Sequence, residues 1–193
     1  MVGGAARIVG VVVAIAAAAL VSGAFAAPGD LAATAGCRDG RAQGPYQLRS
    51  AGGQLRIAGA FNEGTRTGSF IFWRDNGARE AHVPYDNGLR NGTVATWYEG
   101  PADREPPPHV ESEWRHGLRD GITRTWYPDG HRRSQTEYAK GRIVASAAWS
   151  DDGEPLATRD ARALAEADEK LDDAAYERRS ALIAAHMPDC GQS

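Results

Sequence analysis

A repeating pattern of glycines and aromatic residues constrains the fold of this chain more than any other sequence feature. One glycine series steps by 24, 24 and 29 residues: Gly44, Gly68, Gly92 and Gly121. A second glycine series has steps of 24, 29 and 24 residues: Gly64, Gly88, Gly117 and Gly141. Two aromatic series follow: Phe61, Tyr85, Trp114 and Tyr138, and then Trp73, Trp97, Trp126 and Trp149. The long step holds a proline-rich insertion at residues 101–108. A period in the twenties indicates stacked supersecondary units.

Turn dipeptides between these positions indicate what each unit contains. Asn76-Gly77, Asn87-Gly88, Asp129-Gly130 and Asp152-Gly153 are typical of two-residue type I′ hairpin turns, because Asn, Asp and Gly tolerate a positive φ. Each unit is therefore predicted to be two short antiparallel strands.

Between the turns, the sequence alternates as a strand with one buried face does. Ala81, Val83 and Tyr85 share one face, and Glu80, His82 and Pro84 share the other. The same buried face is predicted to carry Ile57 and Phe61, then Val110 and Trp114, then Ser134, Thr136 and Tyr138, so it becomes less apolar toward the C-terminus. The fold class predicted is mainly β, a single antiparallel hairpin meander of roughly nine or ten strands across residues 44–150, followed by a C-terminal α-helix.

The C-terminal helix is predicted from Thr158 to Ala185. This stretch contains no Gly or Pro, is rich in Ala, and is followed by Pro188. Leu164, Leu171, Ala175, Leu182 and Ile183 fall close to helical spacing. A sheet with one apolar face needs a cover, so the helix either packs on the sheet or binds a partner.

The N-terminal residues 1–26 have the pattern of an export signal: a cation at Arg7, an apolar run from Ile8 to Leu20, and Ala24-Phe25-Ala26 as the cleavage pattern. We expect a periplasmic or secreted protein after signal cleavage. The alternatives are a retained N-terminal membrane anchor and a lipoprotein modified at Cys37, since Thr34-Ala35-Gly36-Cys37 weakly resembles a lipobox.

The only two cysteines, Cys37 and Cys190, lie near opposite ends of the exported chain. In an exported protein such a pair is expected to form a disulfide, with free thiols as the alternative.

The sequence is predicted to divide into four parts: the signal peptide (1–26), an N-terminal segment (27–43), the repeat domain (44–155), and the helix and tail (156–193). Residues 37–150 carry 16 Lys and Arg against 13 Asp and Glu, and residues 151–193 carry 5 against 11. Neither imbalance is large enough to predict nucleic acid binding.

The repeat itself resembles a known family. Tyr85-x-x-Gly88-x-x-x-Gly92-x-x-x-x-Trp97-Tyr98-x-x-Gly100 is similar to a MORN (membrane occupation and recognition nexus) repeat, in the bacterial form of proteins labelled YwqK-family antitoxins. The pattern recurs from Trp114 to Gly130, and from Phe61 to Trp73 with Arg74 in place of the second aromatic residue. The resemblance implies a repeating β-hairpin sheet that serves as a scaffold, a protein docking surface or a lipid-proximal module, with no catalytic residues.

Two series of residues are candidates for binding. Arg66, Arg90 and Arg119 each stand two residues before a repeat glycine, so they would form a row of cations along one rim. This row either aids solubility or faces an anionic partner, lipid headgroup or glycan. Trp73, Trp97, Trp126 and Trp149 either pack across strands or, if exposed, stack against sugars or partner side chains.

No catalytic, phosphate-binding or zinc-binding motif occurs, so we expect neither an enzyme nor a cofactor or metal. The hypothesis favoured is an exported, non-enzymatic protein-binding or scaffold module of the cell envelope. The alternatives are an antitoxin or immunity protein and a protein that binds anionic lipid or glycan through the arginine series. A hidden hydrolase would require side chains among His82, Glu111, His116 and Glu137 to converge in one pocket.

Overall fold

The computed structural model describes residues 31–191, which form one antiparallel sheet and one long helix. The strands are β1 (Leu31–Arg38), β2 (Arg41–Ser50), β3 (Leu55–Asn62), β4 (Thr65–Trp73), β5 (Arg79–Asp86), β6 (Leu89–Arg90), β7 (Gly92–Trp97), β8 (Pro108–Arg115), β9 (Leu118–Trp126), β10 (Arg132–Ala139) and β11 (Arg142–Ala148). Each strand pairs with the one before it, except that β6 and β7 both pair with β5. The helix α1 spans Thr158–Ala185. The predicted fold class, an antiparallel meander with a C-terminal helix, is confirmed.

The sheet begins earlier than the predicted repeat domain. The whole of β1 and the start of β2 lie within residues 27–43, which the predicted domain division places outside the repeat domain. These strands form a hairpin that lacks the repeat tryptophan, which explains why the period does not reveal it. The predicted signal peptide lies outside the described residues.

Hairpin turns differ between the two ends of the strands. At one end, both turn residues have positive φ, as in a type I′ turn: Asp39-Gly40, Glu63-Gly64, Asn87-Gly88, His116-Gly117 and Lys140-Gly141. The type I′ prediction was therefore right for Asn87-Gly88.

At the opposite end, the type I′ prediction was wrong for Asn76-Gly77, Asp129-Gly130 and Asp152-Gly153, where only the glycine has a positive φ. The side chain before the glycine has a different role there. Asn76 Oδ1 accepts the backbone N–H of Ala78 at 2.9 Å, and Asp129 Oδ1 accepts that of His131 at 2.9 Å. These are longer loops in which a turn is closed by a left-handed glycine.

One face of the sheet is covered by α1, which crosses the strands. Its side chains meet successive strands in order: Asp168 pairs with Arg133 on β10, and Arg179 pairs with Glu80 on β5. A helix of 28 residues is about 42 Å long, close to the roughly 43 Å width of ten neighbouring strands. The helix is therefore long enough to span the sheet from one edge to the other.

The core beneath α1 is apolar over the first strands and polar over the last. Tyr46, Leu48, Ile57 and Phe70 are completely buried. Aromatic rings in this region meet edge to face, with centroids 5.6 Å apart for Phe61 and Phe70. Toward the C-terminus the buried positions become hydroxyl-bearing: Ser112, Thr123, Thr125, Ser134 and Thr136. This confirms the predicted weakening of the apolar face.

The two cysteines form the predicted disulfide. Cys37 on β1 is joined to Cys190 after α1, with Cα atoms 5.6 Å apart and a sequence separation of 153. The bridge fixes the C-terminal end of the helix to the first strand. It is consistent with an oxidising, extracytoplasmic compartment. Across residues 31–191, no helix is both long and apolar enough to cross a membrane.

Candidate binding face of the sheet

The sheet face opposite α1, here called the outer face, is not covered by any described part of the chain. Its central row follows the strand pairing from β2 to β11: Gln47, Ala58, Ile71, His82, Ala95, Glu111, Arg124, Gln135 and Ala147. The neighbours of these residues in sequence, such as Phe70 and Phe72, point to the covered face and are buried. The row is uncharged and mostly apolar over β3 to β7 and carries charges on β8 and β9.

A groove of about 460 Å³ lies on the outer face across β4, β5 and β7. We call it the outer groove; its lining residues are Ile71, Arg79, His82, Pro84, Gly92, Thr93, Ala95 and Trp97. His82 Nε2 lies 2.9 Å from Ser69 Oγ beside it. Partial burial, and then the charge of Arg79, lower the pKa of His82. The imidazole is therefore neutral at neutral pH, and the groove offers apolar surface with a few polar edges.

Of the four tryptophans singled out by the repeat, Trp97 lines the outer groove. The Arg79 guanidinium lies over its ring, 5.2 Å from the centroid. Trp73 lines a separate recess of about 300 Å³ formed with the 102–106 insertion. The backbone of Trp126 on β9 pairs with that of Arg132 on β10, and the backbone of Trp149 forms an isolated β-bridge with Pro155. All four are half-buried, so the series is neither fully packed away nor fully exposed.

The residue that follows each of the first three repeat tryptophans forms a side-chain hydrogen bond to the next repeat unit. Tyr98 donates its hydroxyl hydrogen bond to the carbonyl of Trp126 at 2.7 Å, and Tyr127 donates to the carbonyl of Trp149 at 2.9 Å. Arg74 occupies the equivalent position and donates from Nη2 to the carbonyl of Trp97 at 2.8 Å. The substitution of Arg for an aromatic residue thus keeps the same inter-repeat bond.

The arginine series does not face the outer side; each member contacts α1. Arg119 is only 4% exposed and donates to Glu169 and Asp173, each at 3.1 Å. Arg66 donates to Ser180 Oγ at 3.1 Å and to the Tyr85 hydroxyl at 3.2 Å.

Arg90, the middle arginine of the series, is stacked between two aromatic rings. Its guanidinium lies 3.3 Å from the centroid of Trp114 and 4.0 Å from that of Tyr176. The anionic groups nearest to the series, including Asp173, come from the helix of the same chain.

The interface between α1 and β8–β10 carries perturbed titratable groups. Burial raises the pKa of Asp172 from 3.8 to about 6, although Arg119 Nη2 lies 3.9 Å away. Burial also raises the pKa of Tyr138 to about 12. Thr123 Oγ1 on β9 and Thr96 Oγ1 on β7, the strand that pairs with β8, are buried without a hydrogen-bond partner among the described residues. The helix is thus held over this region by charge pairing rather than by apolar packing.

The side chains that a hidden hydrolase would need lie on separate elements. Glu111 is on β8, two strands from His82 on β5, and Glu137 is on β10. His116 is in the turn between β8 and β9. Strands two positions apart are separated by about 10 Å, so His82 and Glu111 do not converge. Among the described residues, no group of three or more His, Cys, Asp or Glu side chains is arranged to hold a metal ion.

No protein-family model matches this chain, and no curated protein matches it. Its class is defined by the fold alone: an open antiparallel hairpin meander with a helix across one face. The sequence analysis did not predict the outer groove, because it placed Pro84 on the face away from the core and assigned neither Ile71 nor Ala95 to a face. Several apolar residues in a row on that face, on consecutive strands, are the signal that could have revealed it.

Proposed function

We propose that this chain is an exported, non-enzymatic repeat protein of MORN-like architecture that binds another protein in the cell envelope through its outer face. The observation that carries the proposal is the difference between the two faces of the sheet. The chain covers one face with its own helix. The described residues leave the other face open, with a groove of about 460 Å³ on it.

The composition of the outer face supports binding. An uncovered groove with apolar walls and a few polar groups is the usual form of a recognition site. Tryptophan and arginine are enriched among the residues that contribute most to protein interfaces, and Trp97 and Arg79 stand side by side at this groove. A repeat sheet also offers a rigid surface, which lowers the entropic cost of association.

The envelope location rests on two features. Residues 1–26 have the pattern of an export signal, and a disulfide joins Cys37 to Cys190. Together they favour the periplasm or the cell exterior as the place where the partner is met.

An anion-binding function for the arginine series has less support. Arg119 and Arg90 are already satisfied by carboxylates and aromatic rings within the chain. A lipid headgroup or polyanionic glycan would have to displace α1 to reach them.

The proposal is tested by purifying the tagged mature protein from its own cell envelope and quantifying what copurifies. Ile71→Asp places a charge on the floor of the outer groove and is expected to abolish recovery of the specific partner. Leu171→Asp is the matched control, because Leu171 is 68% exposed on the solvent side of α1. Both variants should keep the disulfide and a cooperative unfolding transition. A partner retained by Ile71→Asp, or lost with Leu171→Asp, would contradict the proposal.

A further inference from the structure

The outer face has two adjoining halves of different chemistry. Over β4 to β7 lies the outer groove with Ile71, Pro84 and Ala95. Next to it, β8 and β10 carry three carboxylates on the same face: Glu111, Glu113 and Glu137. Ala95 pairs with Glu111 and Thr93 pairs with Glu113, so two of the carboxylates border the groove directly.

These three carboxylates differ from those on the covered face. Asp168, Glu169 and Asp173 of α1 are all paired with arginines. Among the described residues, Glu111, Glu113 and Glu137 form no ion pair within 4.0 Å. Arg79, the cation of the groove, is instead paired with Glu105 at 3.2 Å. Arg124 on β9, the cross-strand partner of Glu111, also forms no ion pair within 4.0 Å among the described residues. Three unpaired carboxylates therefore stand against one unpaired arginine, and the balance of charge beside the groove is negative.

We propose, on the basis of the proposed function, that the partner binds the outer face through a segment that combines apolar and cationic side chains. An apolar side chain occupies the outer groove against Ile71 and Trp97, and a neighbouring Lys or Arg pairs with Glu111 and Glu113. Adjacent strands lie about 5 Å apart, so the two contacts fit side chains that are close neighbours on one segment of the partner.

Charge also favours this occupant over a second copy of the chain. Residues 151–193 carry 11 acidic against 5 basic residues, so a second copy that docked through this region would bring acidic surface to an already acidic face. A partner segment with apolar and cationic side chains is complementary to both the apolar outer groove and the carboxylates beside it.

The test uses two fluorescent probes, a short amphipathic peptide of leucine and lysine and the same peptide with glutamate at every lysine position. Anisotropy titrations use the mature protein with its disulfide intact. The lysine peptide should bind at least about tenfold more tightly at low salt, and the difference should shrink as salt is added. Glu111→Lys/Glu113→Lys should reverse the preference. Glu154→Lys/Glu177→Lys makes the same change in net charge at exposed positions away from the outer face and should preserve it.

Three results would overturn the inference: equal binding of the two peptides, tighter binding of the glutamate peptide, or a lysine-peptide affinity unchanged in Glu111→Lys/Glu113→Lys.

Binding of a maltooligosaccharide but of neither peptide would also overturn it and would assign the outer groove to a glycan. Self-association that Ile71→Asp abolishes would assign it to a second copy. If the envelope partner is lost with Ile71→Asp but retained with the charge reversals, the proposed function stands and this inference fails.

Discussion

Tyr98 and Tyr127 each follow a repeat tryptophan, and each donates its hydroxyl to the carbonyl of the tryptophan in the next repeat. A β-meander already satisfies most backbone groups within the strands. These side chains satisfy carbonyls at the strand ends, where pairing stops. The Trp-Tyr dipeptide of the repeat therefore combines packing by the first residue with a connection between repeats by the second.

Tyr98→Phe removes one of these connections while it keeps the ring. We expect a loss of about 1 kcal/mol in the free energy of unfolding, since the carbonyl of Trp126 loses a 2.7 Å hydrogen bond. Urea denaturation followed by circular dichroism measures it. Tyr46→Phe is the control, because the Tyr46 hydroxyl makes a longer 3.5 Å contact with the carbonyl of His186 and its loss should cost less. Equal losses in the two variants would contradict this role for Tyr98.

Single residues also show where turn prediction failed. Glu63, His116 and Lys140 adopt φ of +49°, although their side chains give no sign of it in the sequence. The following glycine and the pairing of long flanking strands impose that conformation. Asn76 and Asp129 have the typical side chains but form a different loop. Dipeptide identity locates the turns of this sheet but does not determine their type.

The helix α1 has the predicted bounds, and Leu182 and Ile183 of the predicted apolar stripe pack against the core, but the stripe is not apolar along its whole length. The residues that face the sheet recur at helical spacing: Ala161, Ala165, Asp168, Asp172, Tyr176, Arg179 and Ile183. Leu171, which hydrophobic spacing assigns to the packing side, is 68% exposed. The sheet beneath this part of the helix is polar, so charged residues are the complementary ones. A search for apolar periodicity cannot find a stripe of that kind.

Asp172→Asn tests how charge holds the helix. The pKa of Asp172 rises from 3.8 in the unfolded chain to about 6 in the fold, so the folded state binds this proton more tightly. The stabilisation is complete below about pH 4 and is lost as pH rises through about 6, with a magnitude of about 1 to 3 kcal/mol. Asp172→Asn removes the titrating carboxyl group, so the free energy of unfolding of this variant should lack that pH dependence.

Urea unfolding of both proteins between pH 4 and 8 measures the effect. The stability of the wild type should fall relative to that of Asp172→Asn as pH rises through about 6. Parallel pH profiles for the two proteins would show that Asp172 does not titrate in this way.

In the molecule as a whole, the sheet has one face covered by α1 and an outer face that the described residues leave uncovered. The repeat period predicted the strands, the buried series and the weakening of the apolar face, because all of these depend on local alternation. It could not predict the outer groove, which requires neighbouring strands to align Ile71, His82 and Ala95 in one row. Nor could it place Arg66, Arg90 and Arg119, whose surroundings are set by a helix far along the chain.

Site-specific photocrosslinking in living cells tests directly whether the outer face is the binding surface. A benzophenone amino acid at Ala95 lies in the outer groove, and one at Ala167 lies on the solvent side of α1. We expect a discrete crosslinked protein from position 95 that Ile71→Asp abolishes, and none from position 167. A product from position 167 alone, or the same products from both positions, would contradict it.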